Sequence, residues 1–243
     1  MSFQLTYKPF GPNAILIAWP QVITVEILKD IKGFQSNIEQ EHIDGISEFR
    51  VAYNSLLITF SNQHIHFEVL VLRLKAIYEQ DASSKPHPVT KWEIPVCYNS
   101  TFGIDLEALA HTKQLSVAEL IQRHTAPVYT VYFIGFLPGF LYLGGLDEVL
   151  HTPRKATPRL QIEAGAVAIG GNQTGIYPSE SPGGWHIIGK SPISFFNASH
   201  NLPCFAQPGD QIQFKPISEK EFNSIQKLVQ AGRYNLNKTE VVC

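Results

Sequence analysis

Arg154, Arg159 and Lys190, spread over residues 154 to 190, could together receive a carboxylate or phosphate. A guanidinium does this with two parallel N–H donors, an ammonium as a point charge. Gln173, Thr174, Tyr177 and Ser181 stand nearby in sequence and could orient a small polar ligand. His186 could exchange a proton or donate a hydrogen bond, although a lone histidine in a strand is more often structural. These residues fall in two blocks, 154–159 and 170–190, the latter also carrying Trp185, and a third block, 135–146, adds Phe136, Pro138 and Phe140. Of 17 glycines, 11 lie between Gly135 and Gly189, and 6 of the 16 prolines between Pro138 and Pro192. That density specifies backbone shape, and binding residues concentrate on such loops. The competing explanation is that these are well-packed turns with no ligand.

Gly184 to Ser191 fits the letters of a phosphate loop, Gly-x4-Gly-Lys-Ser. The chemistry opposes it. Pro192 pushes Ser191 away from helical geometry, whereas the lysine and hydroxyl of a phosphate loop open a helix. Trp185 to Ile188 are bulky or β-branched and favour a strand. His64 and His66 alternate but have no third ligand at metal spacing, so no metal site is expected. Neither a G-x-S-x-G elbow nor a G-x-G-x-x-G turn occurs.

The elements that must position these groups follow from periodicity. Phe3, Leu5 and Tyr7 alternate, Pro9 to Asn13 turn, and Ala14 to Trp19 return. Ile27, Ile31, Phe34 and Ile38 then recur at helical spacing. The plan repeats with strands near 49–53 and 56–60 and a helix carrying Phe67, Leu70, Val71, Leu74 and Ile77. This predicts a small α+β domain of two ββα units over 1–85. Residues 81–90 read as a linker, and 86–243 as a second domain. Strands are expected around Trp92–Val96, Val128–Phe136, Ala166–Ile169, Trp185–Ile188, Ile193–Phe196 and Ile212–Phe214, a pattern of a closed or nearly closed β-barrel. Ser116/Glu119 and Ser218/Glu221 are capping boxes that start helices.

A net charge of −2 with 16% charged residues argues against a nucleic-acid binder. No apolar run reaches the ~18 residues of a membrane helix. The N-terminus lacks the pattern of a secretory signal, and three scattered cysteines make no disulfide framework. The expectation is a cytoplasmic protein with reduced thiols.

The runs GFLPGFLYLGGL, RKATPR and GGNQTGIYPSESPGGWHIIGKSP, in this order, resemble the signature of the KipI/PxpB family, also called allophanate hydrolase subunit one. The likeness covers nearly the whole chain. One stretch departs: the family tends to Val-Pro and a serine where this chain reads Ile162-Glu163-Ala164-Gly165-Ala166, so no hydroxyl is available at 166. The resemblance implies an N-terminal α+β domain followed by a cyclophilin-like barrel. It also implies a non-autonomous subunit of an ATP-dependent 5-oxoprolinase, working with a KipA/PxpC-like and a LamB/YcsF-like (PxpA) subunit. The chain alone would hold no cofactor, and the assembled complex would use ATP and magnesium. The alternative within the family is a regulator that inhibits a sporulation-type histidine kinase. On the enzyme reading Arg159, His186 and Lys190 are the candidate catalytic groups. Phe136, Pro138, Phe140, Arg154, Gln173, Thr174, Tyr177, Ser181 and Trp185 would then bind substrate.

Overall fold

The structure, a computed structural model, describes residues 3–61, 66–80 and 88–242. It is a mixed α/β fold with five α-helices and three sheets among the described residues. The chain divides into two compact units, Met1–His87 and Pro88–Cys243.

The first unit runs β1 (Thr6–Pro9), β2 (Ala14–Ala18), α1 (Val25–Gln40), β3 (Ile46–Ala52), β4 (Ser55–Phe60) and α2 (Phe67–Gln80). Its antiparallel sheet has the order β1-β2-β4-β3. Thr24 caps α1 by accepting from the Ile27 N–H at 3.3 Å, and Ile27, Ile31, Phe34 and Ile38 form the buried stripe. Strand β4 alternates as its letters require, with Leu56, Ile58 and Phe60 inward. Asp30 on α1 accepts from Trp19 Nε1 at 2.6 Å and Tyr78 OH at 2.8 Å, joining the end of β2 to both helices.

The second unit begins with β5 (Pro88–Val96), α3 (Leu106–Thr112), α4 (Val117–Thr125), β6 (Tyr129–Ile134) and β7 (Leu141–Gly144). There follow β8 (Arg159–Ile162), β9 (Ala166–Gly170), β10 (Gln173–Ile176), β11 (Ser181–Gly183) and β12 (His186–Lys190). The chain ends with β13 (Gln211–Pro216), α5 (Glu219–Gln230) and β14 (Lys238–Val242). Eight strands form one sheet, β12-β9-β10-β7-β6-β13-β5-β14, and β8 pairs with β11. Beyond the end of β5, Cys97 exchanges two backbone hydrogen bonds with Lys190 of β12, at 2.9 and 3.0 Å. Strands from near opposite ends of the sheet therefore meet.

Both expected capping boxes form, at Ser116/Glu119 on α4 and Ser218/Glu221 on α5. Two expectations change. Pro88–Thr90, read as linker, belong to β5, where they pair with β14; residues 81–87 lie outside the described residues. Ile193–Phe196 is not a strand. Ile193 and Phe195 are buried among core side chains without a ladder partner, so the apolar letters record packing alone.

Candidate functional site

Strand β9 is buried on both faces, and the two faces serve different clusters. Val167 and Ile169 join the main core with Leu141, Leu143, Ile188 and Phe214. Ala166 and Ala168 face a smaller cluster of Phe140, Ile162, Tyr177, Trp185 and Ile187. This second cluster is where the three glycine- and proline-rich blocks meet. Phe140 contacts Tyr177 at 5.8 Å and Trp185 at 5.6 Å between ring centroids. The Arg154 guanidinium lies 5.9 Å from the centre of the Trp185 ring. Phe136 stands on the rim, 64% exposed with φ 67, edge-on to Phe140. Pro138 is exposed beside it.

The indole needs Gly170 beneath it, because a Cβ there would sit 2.3 Å from the Trp185 ring. Next to this ring the 152–155 segment is stitched down at three places. Thr152 and Gly171 exchange backbone hydrogen bonds of 2.8 and 2.6 Å. Lys155 N–H donates to Gly184 O at 2.7 Å, and His186 Nε2 donates to Pro153 O at 3.1 Å. A carbonyl can only accept, so Nε2 carries a proton in this contact.

Arg159 goes elsewhere. Its guanidinium grips Asp105 with two hydrogen bonds, Nη1 to Oδ2 at 2.9 Å and Nη2 to Oδ1 at 2.7 Å. Asp105 also accepts from Lys155 Nζ at 3.1 Å and from the Ile187 N–H at 2.8 Å. Burial pushes this carboxyl up, and the hydrogen bonds from Arg159, Ile187 and Lys155 outweigh it, holding it below the usual carboxylate range. No motif in the sequence marks Asp105. Its one local sign is its place immediately before the helix α3, the position of a cap.

The polar candidates therefore do not gather at one point. Lys190 ends β12, four residues from His186 and roughly 13 Å away at about 3.3 Å per residue; its ammonium pairs with Glu163 and lies 5.7 Å from the Phe102 ring centre. Thr174 is fully buried in the main core. It donates to Ala168 O at 3.1 Å, so it must accept from His124 Nε2 at 2.8 Å, and His124 Nδ1 accepts from Tyr98 OH at 2.8 Å. Each group in this chain is satisfied, and Thr174 faces no ligand. Ser181 is buried, its hydroxyl directed to Pro182 O at 3.2 Å. Gln173 is half-buried at the start of β10, and Tyr177 is buried within the aromatic cluster.

The phosphate-loop letters fold as expected from their chemistry: His186–Lys190 is strand β12, and Ser191-Pro192 continues as irregular chain with no helix. Among the described residues no three His, Cys, Asp or Glu side chains are grouped to hold a metal; His64 lies outside them.

Residues 5–206 match the family model of the carboxyltransferase domain, subdomain C and D. The chain is 44% identical over 209 residues to the 5-oxoprolinase B subunit of Escherichia coli O157:H7, covering 86% of this chain and 94% of that one. The KipI/PxpB family is the one to which the chain belongs. Its Bacillus subtilis relative, of the same name, is 34% identical over 92% of this chain and 98% of its own. The Kluyveromyces lactis urea amidolyase structure superposes with a TM-score of 0.82 over all of this chain and 16% of that one, at 19% identity, which shows a shared fold. Within this PxpB-type chain, the aromatic cluster with Arg154 at its edge is the feature that unites the family-like runs.

Proposed function

We propose that this chain is the B subunit of an ATP-dependent 5-oxoprolinase, which opens the 5-oxoproline ring to glutamate. The observation that carries this reading is the 44% identity to a B subunit over 94% of that subunit's length. The relatives are named as subunits, and on our reading the partners here are KipA/PxpC-like and LamB/YcsF-like (PxpA) chains. ATP and magnesium would be used by the assembly. We also read the larger sheet as a cyclophilin-like barrel, a reading supported by the Cys97–Lys190 bridge between β5 and β12.

Opening a lactam requires the carbonyl to be activated and the developing oxyanion to be stabilised by fixed donors. Arg154 is an exposed guanidinium at the edge of the aromatic cluster, shaped to take the substrate carboxylate with Trp185 beside it. His186, hooked to Pro153 O, would act on the ring at the adjoining strand. Lys190 is held by an exposed carboxylate that a partner chain could displace. Arg159 would act indirectly, through Asp105.

The test is to co-purify the chain with the two partner subunits and measure ATP hydrolysis dependent on 5-oxoproline. Arg154→Ala and His186→Ala should each lower that activity more than ~10-fold, equivalent to about 1.4 kcal/mol of transition-state stabilisation, in complexes of normal composition. Activity absent from the wild-type complex, or full activity in both variants, overturns the reading.

A further inference from the structure

Asp105 gathers an unusual set of partners for a single carboxylate. It is buried, only 6% exposed, at the position preceding α3, yet its side chain makes no cap to that helix. Instead it takes both prongs of Arg159, the Lys155 ammonium and the Ile187 N–H, at 2.7 to 3.1 Å. Its own N–H donates back to Ile187 O at 2.9 Å. Asp105 and Ile187 are thereby clasped in both directions, and Ile187 adjoins His186.

The two cations come from the 154–159 block. Lys155 follows Arg154, and its N–H is bonded to Gly184 O on the approach to β12. Arg159 begins β8, where it pairs with Gly183. One negative charge therefore ties the block that carries Arg154 to the strand that begins with His186, just after Trp185. Two partly buried cations need that charge, and a charged hydrogen bond is about twice as strong as a neutral one.

We infer that Asp105 is the positioning residue of this site: it presses the Pro153–Arg159 segment onto β12 and so fixes the His186 imidazole on Pro153 O. The inference rests on the 5-oxoprolinase reading for its catalytic consequence, and on geometry alone for its structural one. Asp105 acts through its neighbours and is not itself a catalytic residue.

The structural consequence is read by NMR on the isolated full-length chain. The ring nitrogen shifts of His186 distinguish a proton held on Nε2 from a freely exchanging mixture of tautomers, and His186→Ala assigns them. Asp105→Asn preserves shape but removes the charge and one acceptor. In a folded Asp105→Asn chain the His186 ring nitrogen shifts should move from the Nε2-protonated pattern towards the tautomer mixture of a free imidazole, as a local closing interaction is lost. Should that variant fail to fold, Arg159→Lys, which keeps the charge and gives up the two-pronged contact, is measured in the same way. An unchanged His186 signal in the folded variant overturns the inference.

The catalytic consequence is read by a double-mutant cycle in the assembled complex. Asp105→Asn should cost roughly 30-fold in 5-oxoproline-dependent ATP hydrolysis alone, but less than about 3-fold in the His186→Ala background, because coupled residues are not additive. Losses that simply multiply would mean that Asp105 does not work through His186. A wild-type complex without activity would sink the functional reading, while the NMR measurement would still decide the inference.

Discussion

At the scale of the residue, His124 shows most directly how burial sets chemistry. It is enclosed in the main core, its ring 4.5 Å from Phe214 in a stacked arrangement and both nitrogens bonded. Burial holds its pKa down at about 3. The unfolded imidazole protonates near its ordinary 6.5, so between these values the unfolded chain carries the extra proton. Stability should accordingly fall as pH drops from about 6.5 towards 3, by up to ~1.4 kcal/mol per pH unit. The lowered Asp105 carboxyl contributes stability that is lost further down, as pH falls below its ordinary 3.8 through its folded value. Urea denaturation across pH 4.5 to 7 checks the first window. His124→Gln should be less stable at neutral pH but lose the slope, and a slope that persists in it would assign the titration to another group. The sequence disclosed His124 only as the end of a helix. Its partners Tyr98 and Thr174 are 26 and 50 residues away, and no local pattern encodes such a meeting.

Elements were legible where their signals are local. Both capping boxes and the alternation of β4 are written in adjacent letters, and the structure contains all three. The short strands β8, β10 and β11 were not foreseen, because 3 or 4 residues give no period to count. Asp105 was missed for a related reason: Arg159 and Ile187 lie 54 and 82 residues downstream. The Gly165 turn ahead of β9 is a case where an element depends on one missing side chain. Gly165 has φ +83, donates to Tyr177 O at 2.7 Å and accepts from Ser191 N–H at 2.8 Å; a Cβ would lie 2.4 Å from Ser191 O. Gly171, with φ +66, has nothing within 4 Å of its own Cβ position. Gly171→Ala should therefore cost only left-handed strain, about 1–2 kcal/mol. Gly165→Ala should cost more, since backbone must shift as well, and the difference should appear as a Tm lower by several degrees, at about 2–4 °C per kcal/mol for a chain of this size. Equal melting temperatures would show that the turn can yield.

At the scale of the whole molecule, the two-unit division coincides with a change of core. One cluster, built on Ile17, Ile31 and Leu56, serves the first unit; the second unit has its own, built on Val131, Leu143 and Phe214. No helix among the described residues is long and apolar enough to cross a membrane. In the second unit, β5 lies between β13, which it pairs in parallel, and β14, which covers its other side from Pro88 to Trp92. Strand β14 comes last in the chain and carries Lys238 and Glu240. It is itself the edge strand of the sheet, and Lys238 and Glu240 are the kind of charge that keeps an edge from pairing. Truncation after Asn237 would leave a row of unpaired N–H and C=O groups on β5, the kind of bare edge that recruits strands from other molecules. The shortened chain should self-associate as its concentration rises, seen as growing light scattering where the intact chain stays clear; equal scattering from both would mean the edge is protected by other means. On the first outcome the five residues of β14 would serve solubility, separate from any part the site plays in chemistry.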